Sequence, residues 1–258
     1  MKRLFLFLMC TVMSVSLCAC DTGDMVAKGK ESDSSKIGWG LKKVENSQPE
    51  VPDSWKEMLK KYDGYYLGNT NEKVMYLTFD EGYENGYTAK ILDVLKRTNT
   101  PAAFFVTGPY IDKETELVKR MVAEGHVVGN HTVNHPGMAD ISDEEIEKEL
   151  SQLNEKFKKI TNKDMQFMRP PRGEFSERVL RTIKKNGYKT IFWSVAYADW
   201  DVNKQRGVEC AVDSVTKQFH NGAIILLHAV SEDNANGLEK IINIAKEQGY
   251  TFKSLEDL

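Results

Sequence analysis

From Val74 to Glu247 the chain alternates short, continuously apolar runs with longer stretches whose apolar residues recur every three or four positions. Val74–Phe79 reads as a strand, Tyr87, Ile91, Val94 and Leu95 mark one face of a helix, and Ala102–Val106 reads as a second strand. That is a β-α-β unit. The pattern continues with a helix near Glu114–Glu124, a strand at His126–Gly129, a helix over Asp143–Ile160 and a strand at Phe167–Arg169. A helix over Ser176–Asn186 and a strand at Thr190–Val195 follow, then a helix near Val208–Phe219, the strand Ala223–His228 and a helix near Asn234–Glu247. Strands without polar alternation are buried on both faces, as in a parallel sheet covered by helices. About seven such units predict an α/β fold: a distorted (β/α)7-type barrel of parallel strands, closed or nearly closed.

Upstream the pattern changes. Trp55, Met58, Leu59 and Tyr62 have helical spacing ending at Asp63-Gly64, which predicts a short helical extension over 53–72. Residues 21–52 are rich in Ser, Asp, Lys, Gly and Glu, with scattered Ile37, Trp39 and Leu41, and read as a flexible tether. At residues 1–20, basic Lys2 and Arg3 precede an apolar run from Leu4 to Leu17, the build of an export signal. The run is shorter than the roughly 20 residues of a membrane-spanning helix. Leu17-Cys18-Ala19-Cys20 resembles a bacterial lipobox. It implies cleavage before Cys20 and a lipid on that cysteine, hence an extracytoplasmic, membrane-anchored domain; an ordinary cleaved signal is the alternative.

Composition narrows the function. With 258 residues, 41% hydrophobic and 28% charged, the chain is neither disordered nor fibrous. Its 35 basic and 38 acidic residues are dispersed, which argues against nucleic-acid binding through a basic face. Cys10, Cys18 and Cys20 fall in the leader, so Cys210 stands alone in the body and no disulfide framework can form there. We expect a monomer.

The polar residues that carry chemistry follow the strands: Asp80 and Glu81, His131 and His135, Arg169 to Gly173, Asp199 and Trp200, and His228. In a parallel barrel these positions converge at the C-terminal strand ends, where active sites are built. Two imidazoles and a carboxylate match the ligand set that leaves positions open on a divalent metal. The Asp80-Glu81 pair would then divide into one ligand and one general base.

Thr78-Phe79-Asp80-Glu81-Gly82 resembles the T-F-D-D-G motif of the polysaccharide deacetylases, the NodB homology domain. His131-Thr132-Val133-Asn134-His135 resembles their H-S/T-x-x-H, and Arg169-Pro170-Pro171-Arg172-Gly173, Asp199-Trp200 and Leu226-Leu227-His228 match the remaining motifs in order. The resemblance covers 73–258. Asn85-Gly86-Tyr87, Phe104–Gly108 and Gln205-Arg206-Gly207 bring it nearest the muramic-acid deacetylases of spore cortex formation, whose product leads to muramic δ-lactam.

The resemblance implies Asp80 as general base and His131, His135 and Glu81 as ligands of a divalent metal, zinc foremost, with manganese or cobalt as alternatives. It implies His228 as general acid, Arg169 orienting Asp80, Asp199 orienting His228, and the Arg172 backbone N–H stabilising an oxyanion. Glu81 departs from the family pattern, which has Asp there. Arg172, Trp200 and Tyr197 are the expected substrate-binding residues; Trp193 fits a pocket wall or the core, and His126 and His220 read as structural. The partner implied is a peptidoglycan glycan strand. N-acetylglucosamine or chitin-type polymers, O-deacetylation, and an inactive wall-binding lipoprotein are the alternatives.

Overall fold

The computed structural model describes residues 33–258. The expected signal, Cys20 and the first part of the expected tether lie outside the described residues. The strands, in chain order, are β1 (Ile37–Gly38), β2 (Gly64–Tyr65), β3 (Val74–Glu81), β4 (Ala102–Val106) and β5 (Val127–Asn130). Then come β6 (Phe167–Met168), β7 (Glu174–Phe175), β8 (Lys189–Ile191), β9 (Ala223–His228) and β10 (Thr251–Phe252). The helices are α1 (Asp53–Lys61), α2 (Thr88–Arg97), α3 (Gly108–Lys113), α4 (Thr115–Ala123), α5 (Asp143–Thr161), α6 (Glu177–Lys185), α7 (Val208–Thr216) and α8 (Glu232–Glu247). No described helix is long and apolar enough to cross a membrane.

β3 is the central strand. β4 pairs with it in parallel from Leu77–Ala102 to Glu81–Val106, and β9 pairs along its other edge from Met75–Ala223 to Asp80–His228. From β4 the sheet runs through β5, β6 and β8 to β2, parallel throughout. Isolated bridges between Leu67 and Ala223 and between Val195 and Ile225 return the far edge to β9. The ring of β3, β4, β5, β6, β8, β2 and β9 is the expected seven-stranded, distorted barrel, while β10 pairs only with the start of β3.

Side chains alternate across each stave. Val74 and Tyr76 fill the barrel with Ala103, Phe105, Phe167, Ile191, Ile224 and Leu255. Met75, Leu77 and Phe79 face the helix layer, among Ile91, Leu95, Leu238 and Ile242. Gly129 is required where β5 passes Phe105, because a Cβ there would lie 2.5 Å from that ring. Helix starts are set locally: Ser142 and Glu145 form a capping box on α5, while Ser176 and Ser231 cap α6 and α8.

Two sequence expectations change. The extension over 53–72 contains the predicted helix α1, but it continues into β2, which is a stave of the barrel rather than an appendage. The tether expected over 21–52 is packed from residue 33 onward. β1 pairs antiparallel with β7, and the Trp39 N–H donates to the Gly173 carbonyl at 2.9 Å. Trp39 is buried among Trp55, Tyr66, Phe175 and Phe192, its ring stacked on Phe192 at 4.6 Å between centroids. A few large anchors, widely spaced in a polar segment, hold it down. Such a pattern has no period for a sequence reading to detect.

Candidate active site

Thr78 and Asp80 continue the barrel-facing side of β3, and the register with β9 sets His228 directly beside Asp80 at the C-terminal rim. Beneath them Arg169, 0% exposed, has all three guanidinium nitrogens engaged in hydrogen bonds. Its Nη1 donates to Asp80 Oδ1 at 2.7 Å, Nη2 to Thr78 Oγ1 at 2.9 Å and to the Phe192 carbonyl at 3.3 Å, and Nε to the Ile191 carbonyl at 3.0 Å. The guanidinium lies 4.3 Å from the centre of the Phe105 ring. Burial opposes charge on Asp80, but Arg169, reinforced by His131 and His228, outweighs it and holds the carboxyl below its ordinary range. One oxygen of Asp80 is committed to Arg169; the other, Oδ2, faces His131 Nε2 at 3.6 Å.

His131 and His135 come together after β5 through a loop with Thr132 and His135 both at positive φ. Asn130 Oδ1 accepts the Thr132 N–H at 2.9 Å and Thr132 Oγ1 accepts the His135 N–H at 3.0 Å, which stabilises that conformation. The two imidazole centroids are 4.9 Å apart. The His131 Nδ1–H donates to the Arg169 carbonyl at 2.8 Å, so Nε2 carries the lone pair. Burial holds His131 below its ordinary pKa; burial and the neighbouring His131 and Arg172 push His135 down to about 4. Both are neutral nitrogen donors at physiological pH.

Glu81 does not join them. It stands on the outward face of β3, 0% exposed, with neither carboxyl oxygen hydrogen-bonded. Its neighbours are Glu84, Thr88 and Tyr110. Thr88 has one hydroxyl proton, and it goes to Glu84. Burial, then Glu84 and Asp80, raise Glu81 well above the usual carboxyl range. The donor set therefore fits a divalent metal at its two nitrogen positions and not at the expected third, because strand alternation turns residue 81 away from residue 80. Among the described residues no three His, Cys, Asp or Glu side chains are grouped to hold a metal.

On the other side of Asp80, Asp199 Oδ1 meets His228 Nδ1 at 2.8 Å and its Oδ2 accepts the His228 backbone N–H at 2.8 Å and Asn234 Nδ2 at 2.6 Å. Burial lowers the His228 pKa, but Asp199 overcomes that and raises it above the ordinary imidazole value. The exposed Trp200 ring stands edge-on to His228 at 6.0 Å. Tyr197, expected to wall the pocket, instead gives its hydroxyl to Asn234 Oδ1 and packs on the core. Arg172, φ 58°, sits at the rim, with Nη2 donating to Glu174 Oε2 at 3.0 Å and Nη1 to the His135 carbonyl at 3.5 Å. Trp193 lies beside Arg169, 5.7 Å from it, with its carbonyl accepting the Trp39 indole N–H.

His126 and His220 are structural, as expected: His126 Nδ1 takes the Ala102 N–H, and His220 bridges Ser194 Oγ and the Gln218 carbonyl. Sequence reading missed Thr78 as a partner of Arg169 and Asn234 as a partner of Asp199. Thr78 stands two residues before Asp80, so the period of a strand could have found it; Asn234, in the first turn of α8, carries no such signal.

The polysaccharide deacetylase family model matches residues 67–191. The peptidoglycan-N-acetylmuramic acid deacetylase PdaA of Bacillus subtilis is 52% identical over 226 residues, 86% of this chain and 85% of that protein. Its solved structure, described as a family 4 carbohydrate esterase, superposes with a TM-score of 0.85 over 87% of this chain and 97% of that one, at 49% identity. A peptidoglycan-N-acetylglucosamine deacetylase of Bacillus cereus is 36% identical over 73% of this chain and 89% of its own length.

Proposed function

The chain belongs to the polysaccharide deacetylase family, and from that premise we propose that it hydrolyses the N-acetyl group of N-acetylmuramic acid in peptidoglycan. The observation that carries the reaction is the rim pair, cross-strand neighbours on β3 and β9: a carboxylate bonded to Arg169, which lowers its pKa, and an imidazole bonded to Asp199, which raises its own. Asp80 Oδ2 takes a proton from water, whose oxygen attacks the acetyl carbonyl carbon. The negative charge gathers on the carbonyl oxygen, where the Arg172 backbone N–H is the donor. As the C–N bond breaks, His228 gives its proton to the departing nitrogen, leaving a free amine and acetate. Asp199 and Asn234 keep the His228 ring turned to that task.

A zinc ion on His131 Nε2 and His135 would polarise the carbonyl and acidify the attacking water. The support is the locked tautomer and the neutral pair; His131 and His135 would hold the ion, with Glu81 turned away from them. For the sugar, the relative's name and Arg172 agree. A half-exposed guanidinium at the rim, beside Glu174, suits the lactyl carboxylate that muramic acid bears when its stem peptide is absent. The freed amine can then condense with that carboxyl to the δ-lactam of spore cortex. The lipobox resemblance supports a site of action outside the cytoplasm, with the protein held to the membrane through Cys20.

Mass spectrometry of peptidoglycan strands after incubation, with and without stem peptides, tests the reading. A loss of acetyl from peptide-free muramic residues is expected, and Asp80→Asn should lower the rate by about 10²–10⁴. Release of acetyl only from N-acetylglucosamine would overturn the sugar assignment.

A further inference from the structure

Among the described residues three large hydrophobic side chains stand out into solvent: Tyr83 at 52%, Trp200 at 59% and Val202 at 37% exposure. All three sit on loops that leave C-terminal strand ends, Tyr83 after β3 and the other two between β8 and α7. The other large apolar side chains among the described residues are buried or half-buried, so the uncovered rings gather on loops at one rim. Trp200 adjoins His228. Tyr83 is three residues past Asp80, and nothing in the reaction proposed above uses it.

The loop that carries Tyr83 is firmly tied. The Gly82 carbonyl accepts the Thr107 hydroxyl at 3.1 Å, Glu84 accepts Thr88 and Tyr110, and Asn85 Nδ2 donates to the Val230 carbonyl at 2.9 Å in the loop after β9. Glu84 turns inward while Tyr83 stays outside, so the ring is presented by a braced loop at little cost in ordering on binding. A pyranose has an apolar C–H face and a polar edge, and a tyrosine offers the matching π face with a hydroxyl.

We propose that Tyr83 is a specificity-determining residue that stacks on a sugar outside the disaccharide that contains the reacting one, so that the enzyme reads a strand of several linked sugars rather than a single unit. The inference rests on the glycan reading given above. It requires a substrate that extends past the reactive pair, across the loop that follows β3.

The test compares wild type, Tyr83→Ala and Tyr83→Phe on peptide-free peptidoglycan strands of six or more sugars and on a disaccharide, following acetate release. Tyr83→Ala should raise KM on the long strands about three- to tenfold with kcat kept. On the disaccharide it should leave KM unchanged, and Tyr83→Phe should behave as wild type on both. An unchanged melting temperature checks that a substitution at this exposed position leaves the fold intact. Equal KM values for wild type and Tyr83→Ala on long strands, or an equal rise on both substrates, overturn the proposal alone. Absence of acetate release by wild type from every strand overturns the deacetylase reading beneath it.

Discussion

Glu81 yields a sharp prediction because its environment leaves it one comfortable state. Its side chain is sealed from solvent with both oxygens unpartnered, and burial together with Glu84 and Asp80 raises its pKa well above the ordinary 4.5. Between the unfolded value and the raised one, the folded protein binds a proton that the unfolded chain does not. Stability must therefore fall as pH rises through that window, by about 1.4 kcal/mol per pH unit from this group, and level off above the folded pKa. Glu81→Gln keeps the shape and removes the titration. Urea unfolding at pH 5, 6, 7 and 8 measures it: the difference between variant and wild type should be smallest at pH 5 and grow in favour of the variant by up to that slope. All other groups titrate in both proteins, so the difference isolates this carboxyl. Parallel stability curves would show that Glu81 is ionised in the fold and has a partner, a metal ion included. A zinc titration by calorimetry on the same pair is the companion measurement, with equal affinities expected.

Three further outcomes follow from the site and its support. Asp199→Asn removes the acceptor that raises His228, so the alkaline limb of kcat should move to lower pH and kcat fall by about 10²-fold or more; an unmoved limb would reassign the general acid. His131→Ala and His135→Ala should each weaken zinc binding by more than about 100-fold, since the loss of mere supporting groups costs about 10–100-fold; calorimetry that finds wild-type affinity in either variant removes it from the ligand set. Trp39→Ala should destabilise the domain by about 3–5 kcal/mol, read by urea unfolding, whereas a true tether residue would leave stability unchanged.

The barrel was legible because its strands are unbroken apolar runs and its helices keep their period, so β3, β4 and β9 fall within two residues of their expected bounds. β8 is shorter than the apolar run Thr190–Val195 suggested: ladder pairing ends at Ile191, and only Val195 re-enters the sheet by a single bridge. α3 was unseen because a six-residue helix opening with Gly-Pro gives no periodic stripe. At the site, motif order located Asp80, His131, His135, Arg169, Asp199 and His228, and the fold brings all six to one rim. Glu81 and Tyr197 were misplaced for opposite reasons. Adjacency to Asp80 suggested a shared site where alternation forbids it, and an aromatic near a cleft suggested a wall where Asn234 offers a hydrogen bond.

The packing of residues 33–52 bears on the chemistry through Arg169. A fully buried guanidinium is costly to desolvate, and an ion pair in that setting contributes geometry more than stability. Here the geometry is fixed by carbonyls of Ile191 and Phe192, where the chain leaves β8. Beyond Ile191 that segment is tied by single backbone bonds, the Phe192 N–H to the Tyr65 carbonyl and the Ser194 N–H to the Ile224 carbonyl, and Trp39 covers it, stacked on Phe192 and bonded to the Trp193 carbonyl. Trp39 also holds Gly173, whose φ of 66° and contact with Trp193 leave no room for a side chain, and so braces the turn that presents the Arg172 N–H. Trp39 thus supports the Arg169–Asp80 pair through its indole and the Arg172 turn through its backbone N–H. A segment that looks dispensable in sequence is therefore placed to couple folding of the N-terminal region to the competence of the site.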